Sequence, residues 1–153
     1  MRQHIGSKKS GLSFTTAYSG LARSLHTQVD VESVISPGAK INIDALWDTG
    51  AYSSLIRPEV AAQLNLKPIS KTLINTPSDK DVPSNIYLIN IYLPNGTRID
   101  GIHVLEGIPS GCDMLIGMDV ISLSDFAITN FNGRTMFSFR MPSMTSIDFN
   151  KGY

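Results

Sequence analysis

Four consecutive residues, Asp48-Thr49-Gly50-Ala51, carry the clearest chemistry in the chain. They follow an apolar run, Ile41, Ile43, Ala45 and Trp47, that alternates with Lys40, Asn42 and Asp44. That alternation describes a half-buried strand. Leu46 and Trp47 set the Asp48 carboxylate beside apolar surface, where ionisation is disfavoured unless hydrogen-bond donors stabilise it. Gly50 allows a tight backbone path, so neighbouring N–H groups can point at that carboxylate. Thr49 adds a hydroxyl able to bond out of the loop. On its own, the tripeptide also reads as a plain strand-to-turn junction in which an aspartate satisfies turn amides.

A second segment, Asp113-Met114-Leu115-Ile116-Gly117-Met118-Asp119, comes later, and a hairpin signal lies between the two. Together the two segments resemble the retropepsin-like aspartic proteases, bacterial and cellular branch. Leu46 to Leu55 (LWDTGAYSSL) corresponds to that family's active-site loop, and Met114 to Val120 (MLIGMDV) to its later apolar-apolar-glycine strand. The resemblance covers about Val29 to Arg140. It implies an all-β, single-lobe acid-protease barrel with short helices. It implies a symmetric homodimer too, since one chain carries one Asp48 and a working site needs two. It implies an aspartic endopeptidase in which two Asp48 carboxylates, one from each subunit, share a proton and activate a water. By the same resemblance Thr49 braces the two loops across the dimer, Gly50 offers its carbonyl to an extended peptide, and Ala51 lines the site. Leu115 and Ile116 are expected as pocket wall. Gly117 is expected to permit close backbone packing behind Asp48. The chemistry implied needs no cofactor and no metal.

The elements around these segments are mostly strands. Val29, Val31 and Val34 mark one strand, and Ile86 to Leu93 (IYLINIYL) marks a central one covered on both faces. Pro94-Asn95-Gly96-Thr97 predicts a hairpin with a type I′ turn, and Ile99 to Leu105 its return strand. Pro58 to Leu64 predicts a short helix closed by Asn65. Phe126 to Thr129 and Thr135 to Phe139 predict a final hairpin whose core holds Phe126, Phe131, Phe137 and Phe139. Between Leu73 and Ile86 the sequence LINTPSDKDVPSNI occupies the position of the family's flap, with Thr76, Pro77, Ser78 and Asp79 as its expected tip. It contains no glycine, and Pro77 and Pro83 stiffen it.

The chain divides into a flexible N-terminal arm at 1–24, a protease-like domain at 25–140 and a fraying C-terminal tail at 141–153. Thirteen basic residues balance thirteen acidic ones in a chain of 153, which disfavours nucleic-acid binding. No apolar run approaches the roughly 20 residues of a spanning helix, nor does the N-terminus hold the apolar core of a signal peptide. With a single cysteine, Cys112, this fits a cytoplasmic protein that does not meet a membrane. His4, His26 and His103 show no metal-ligand spacing and read as surface or turn residues. Asp119 reads first as a cap on the short turn Val120 to Leu123, or, in a sharper reading, as a tie that holds the dimer-facing loop by hydrogen bonds. Two other functions compete with peptidase activity. One is a catalytically inactive protease-like module for dimerisation or peptide binding. The other is a small-molecule barrel of lipocalin type, which leaves the Asp48 and Gly117 segments unexplained together.

Overall fold

The computed structural model describes residues 12–75 and 79–151. In chain order it holds β1 (Leu12–Ala17), β2 (Leu25–Ser33), β3 (Lys40–Trp47), β4 (Leu55–Ile56), helix α1 (Pro58–Gln63), β5 (Ser70–Ile74) and β6 (Val82–Tyr92). These are followed by β7 (Arg98–Glu106), β8 (Met114–Ile116), helix α2 (Met118–Ile121), β9 (Asp125–Thr129) and β10 (Met136–Met141). Seven strands form one sheet in the order β2-β3-β8-β4-β7-β6-β5. β6 also pairs with β2, from Asp30↔Tyr92 to Ser33↔Ile89, which closes six of them into a barrel and leaves β5 outside it. The remaining strands form a three-stranded antiparallel sheet, β1-β10-β9. The expected all-β barrel with short helices is the observed architecture.

The barrel is filled from alternate strand positions, as a half-buried strand requires. Val29 and Val31 of β2 and Ile43 and Ala45 of β3 are buried, while Gln28 and Asn42 are exposed. Ile89, Asn90 and Ile91 of β6 are buried in succession because the pairing with β7 is broken between Ile89↔Ile102 and Ile91↔Ile99, where the Asn90 side chain accepts Gly101 N–H at 3.1 Å. A local irregularity, rather than the expected cover on both faces, interrupts the alternation. Trp47 joins the two sheets. Its ring lies 5.5 Å from that of Phe137 and 5.0 Å from that of Phe139, and its indole N–H donates to Thr27 Oγ1 at 2.9 Å. A buried indole with a partner for its N–H anchors packing in a way a plain aromatic ring cannot. This anchor sits one residue before Asp48.

Helix α1 begins at Pro58 and has Leu64 as its C-cap. Asn65 follows with φ 49°, and Leu66 N–H reaches back to Ala61 O at 2.9 Å, so the expected stop is made by a left-handed asparagine. The Pro94 hairpin departs from its expected geometry. Gly96 N–H bonds to Leu93 O at 3.0 Å and Leu93 N–H to Thr97 O at 2.9 Å, while Gly96 takes φ 80°. The turn therefore centres on Pro94 and Asn95, and the proline ring, fixed near φ −65°, sets a type I turn followed by a left-handed glycine rather than type I′. Phe131 lies apart from the other phenylalanines. It occupies a 3-10 turn between β9 and β10 and is 81% exposed, since no second layer faces that turn.

Both ends of the described chain are built into the fold. Within the stretch read as a flexible arm, Leu12–Ala17 pairs with β10 from Leu12↔Met141 to Ala17↔Met136, and Phe14 stacks on Phe139 at 5.6 Å. Beyond β10, Asp125 accepts bonds from Ser143 Oγ at 2.6 Å and Met144 N–H at 2.9 Å, and it pairs with Arg140. The start of the stretch read as a fraying tail is thus held by the Asp125 carboxylate, together with a bond from Ser143 N–H to Leu123 O at 3.2 Å. Among the described residues no helix is long and apolar enough to cross a membrane.

Candidate active site

Two strand ends lying in parallel create the site. β3 and β8 pair in parallel from Ala45↔Met114 to Trp47↔Ile116, and Asp48 N–H continues the ladder to Ile116 O at 2.9 Å. The Asp48 loop is therefore hooked to the end of β8. Asp48 Oδ1 accepts Gly50 N–H at 2.8 Å, and Ala51 N–H reaches Asp48 O at 3.3 Å. This is the donor arrangement expected from the glycine: a carboxylate at an apolar strand end, stabilised by a backbone amide. A Cβ on Gly50 would stand 3.1 Å from Asp48 Oδ1 and crowd it. Asp48 is half-buried, and Thr49 and Gly50 are exposed at the loop apex.

Gly117 packs directly behind this loop. A Cβ there would lie 2.9 Å from both Ala51 O and the Ser53 carbonyl carbon. Its φ of −95° is open to any residue, so the demand is for space alone. Met118 N–H donates to Ala51 O at 2.8 Å and Asp119 N–H to Tyr52 O at 3.2 Å. The Asp119 carboxylate then takes Ser54 N–H at 2.9 Å through Oδ2 and the Ser54 hydroxyl at 2.8 Å through Oδ1. Ser54 is fully buried, and its Oγ in turn accepts Gly117 N–H at 3.1 Å. Asp119 is thus the tie on the Asp48 loop and not merely a cap on its own turn. The sequence could not decide this, because Ser54 and Asp119 stand 65 residues apart.

A cleft of about 350 Å³ adjoins the loop, walled by Tyr52, Ser53, Leu55, Ile74, Leu105 and Ile108. Its lining is mostly apolar, with Asn75 and Ser53 as polar points. Leu115 and Ile116, expected as pocket wall, do not face it. Both are buried in β8, and Ile116 belongs to the barrel core. The reason is the position of β8 between β3 and β4, where Leu115 stands beside Leu46 on one side and Leu55 on the other. Leu55 takes the wall position instead. A larger hollow of about 580 Å³, lined by Tyr18, Phe131, Arg134 and Met136 among others, includes none of the loop residues. Chemistry, rather than size, identifies the site.

One side of the cleft is a hairpin. β5 and β6 pair antiparallel from Ser70↔Ile86 to Ile74↔Val82. Asn75 Oδ1 accepts Asp81 N–H at 3.1 Å across its base, and Asp81 takes φ 55°. The segment expected as a flap is therefore a hairpin beside the Asp48 loop. Of its expected tip, Asp79 is among the described residues, and Thr76, Pro77 and Ser78 lie outside them. Beneath the hairpin, Ser84 Oγ donates to Glu106 O at 2.8 Å and Tyr87 donates to the Glu106 carboxylate. Burial and that carboxylate hold the Tyr87 hydroxyl above the ordinary tyrosine range. Cys112 is buried, and burial likewise pushes its thiol up, away from nucleophilic chemistry. Among the described residues no cluster of histidine, cysteine and carboxylate side chains is arranged to hold a metal ion.

The fold has a counterpart among solved structures. A retropepsin-like aspartic protease from Rickettsia conorii aligns over 88% of this chain and 98% of its own with a TM-score of 0.53 at 15% identity. The chain has a retropepsin-like fold. Weaker likenesses are the protease of EIAV complexed with the inhibitor HBY-793, with a TM-score of 0.45, 18% identity and coverage of 67% and 88%, and the retroviral protease-like domain of Ddi1 from Leishmania major, with 0.42, 15%, and 72% and 92%. No family model matches the sequence, and no curated protein matches it. The retropepsin-like likeness thus rests on shape, together with the Asp48 and Gly117 segments placed side by side by β3 and β8.

Proposed function

We propose that this chain is one subunit of a homodimeric aspartic endopeptidase. The observation that carries this reading is the Asp48 loop: a half-buried carboxylate with one backbone donor, braced from behind by Gly117 and Asp119, beside an apolar cleft. The apex of that loop is exposed in the single subunit, as a surface awaiting a second copy must be.

In the dimer two Asp48 carboxylates meet at the two-fold axis. Like charges held close together cannot both ionise cheaply, so the pair retains one proton. The ionised Asp48 takes a proton from a water, and that water attacks the peptide carbonyl. The protonated Asp48 donates to the carbonyl oxygen, and the roles exchange as the intermediate collapses onto the leaving nitrogen. Thr49 reaches across to the partner loop, the Gly50 carbonyl receives the peptide backbone, and Ala51 lines the site. The hairpin of β5 and β6 closes over the bound peptide and excludes water. A mutational test is direct: Asp48→Asn removes general acid–base catalysis, so peptide cleavage falls by roughly 10²–10⁴-fold or more while the fold and the dimer persist. Cleavage unchanged in that variant would refute the assignment.

A further inference from the structure

Four residues back along β3 from Asp48, three side chains on neighbouring strands form a continuous hydrogen-bond chain. His26 Nδ1 lies 2.7 Å from Asp44 Oδ2, and His26 Nε2 lies 3.1 Å from Ser24 Oγ. The strand register explains the meeting. His26 pairs with Leu46 and Gln28 with Asp44, so His26, Gln28 and Asp44 share one face of the β2–β3 ladder, with Ser24 at its start. Asp44 is fixed further: its Oδ1 accepts the Gln28 side-chain amide at 3.2 Å, and its backbone N–H donates to Asp113 Oδ2 at 3.1 Å.

The order of groups is hydroxyl, imidazole, carboxylate. An ionised Asp44 can only accept, so it selects the imidazole tautomer with the proton on Nδ1. Nε2 then presents its lone pair to Ser24, whose hydroxyl becomes the donor. This is the logic of an activated serine, with a base in hydrogen-bond reach of the nucleophile and a third group orienting the base. Ser24 is exposed, and the His26 side chain is 34% exposed, so both can be reached by a small reagent.

We propose that Ser24, His26 and Asp44 form a second, Asp48-independent acyl-transfer site that takes small activated esters. Ser24 Oγ bonds to the ester carbonyl carbon as its proton passes to His26 Nε2. Collapse of the tetrahedral adduct breaks the bond to the leaving alcohol, which takes that proton. Water then attacks the acyl-serine with His26 again as base, and the acid is released with Ser24 restored. Ester and water are the only reactants. Asp44 is a positioning residue, since it bonds to the imidazole and to the Gln28 amide and acts on Ser24 only through His26. The open face on which these residues stand suits small acyl groups and not an extended peptide.

The test treats the whole chain, as wild type and as Asp48→Asn, with a fluorophosphonate reagent and maps the modified serine by mass spectrometry. The exposed Ser36 serves as an internal control. The expected result is labelling of Ser24 well ahead of Ser36 in both proteins, slowed by roughly 10²–10⁴-fold in His26→Gln. Hydrolysis of p-nitrophenyl acetate should fall in Ser24→Ala. In Asp44→Asn the rate of Ser24 labelling should fall and its pH profile should change shape, with partial rescue in Asp44→Glu, which a purely structural role would not produce. Ser24 labelled no faster than Ser36, or labelled equally fast in His26→Gln, would overturn the proposal. If a variant does not fold, the Ser24-to-Ser36 ratio in the wild type decides alone.

Discussion

A methyl group on Gly117 would sit 2.9 Å from the Ala51 carbonyl oxygen and from the Ser53 carbonyl carbon. Both are backbone atoms, so the strain cannot be relieved by turning a side chain. Gly117→Ala should therefore lower stability by about 1–3 kcal/mol and displace the Asp48 loop. Chemical denaturation and peptide turnover measure the two effects separately. Asp119→Ala should cost a similar amount, about 1–3 kcal/mol, because the buried Ser54 N–H and hydroxyl lose their acceptor. Asp119→Asn keeps one acceptor oxygen and should lie between, as read by the urea midpoint. At this scale Gly50 and Gly117 were legible in the sequence, because a tight turn and close packing leave no room there for a Cβ. The cleft walls Leu55, Leu105 and Ile108 were not. Apolar residues carry no mark of which face they take until the parallel pairing of β4 with β7 sets it.

Elements were legible wherever alternation, a continuous apolar run or a helix-starting proline spoke for them, as in β3, β6 and α1 respectively. β1 was not, since Leu12–Ala17 (LSFTTA) holds one large aromatic and takes its order from β10 across more than a hundred residues. The tail after β10 has the same non-local origin, in Asp125. Hydrogen bonds from Ser143, then Met144 N–H and Arg140, hold the Asp125 carboxyl well below its ordinary value of 3.8. A group whose value is depressed on folding contributes stability that is full above the unfolded value and lost only as the pH falls through the folded one. Tail docking should therefore be unchanged from neutral pH down to about 4 and weaken only below it. Asp125→Asn should free the tail at every pH. Hydrogen exchange at Met144 N–H reads both outcomes, and protection lost between pH 7 and 5 in the wild type would contradict the sign.

The whole molecule joins a closed barrel to a three-stranded sheet through Trp47 and sets the half-buried Asp48 carboxylate beside an exposed loop apex. If Asp48 is half of a shared site, as proposed, activity belongs to the pair. When wild type and Asp48→Asn are mixed and allowed to exchange subunits, activity should follow the square of the wild-type fraction, about one quarter at equal amounts. A linear fall to one half would mean that each chain works alone. The most direct test of the account is cleavage of a diverse peptide library from pH 4 to 7.5, read by mass spectrometry, with Asp48→Asn beside the wild type. The account predicts cuts by the wild type that vanish in the variant. A folded, dimeric wild type that cuts nothing at any pH, or a variant that makes the same cuts, would contradict it.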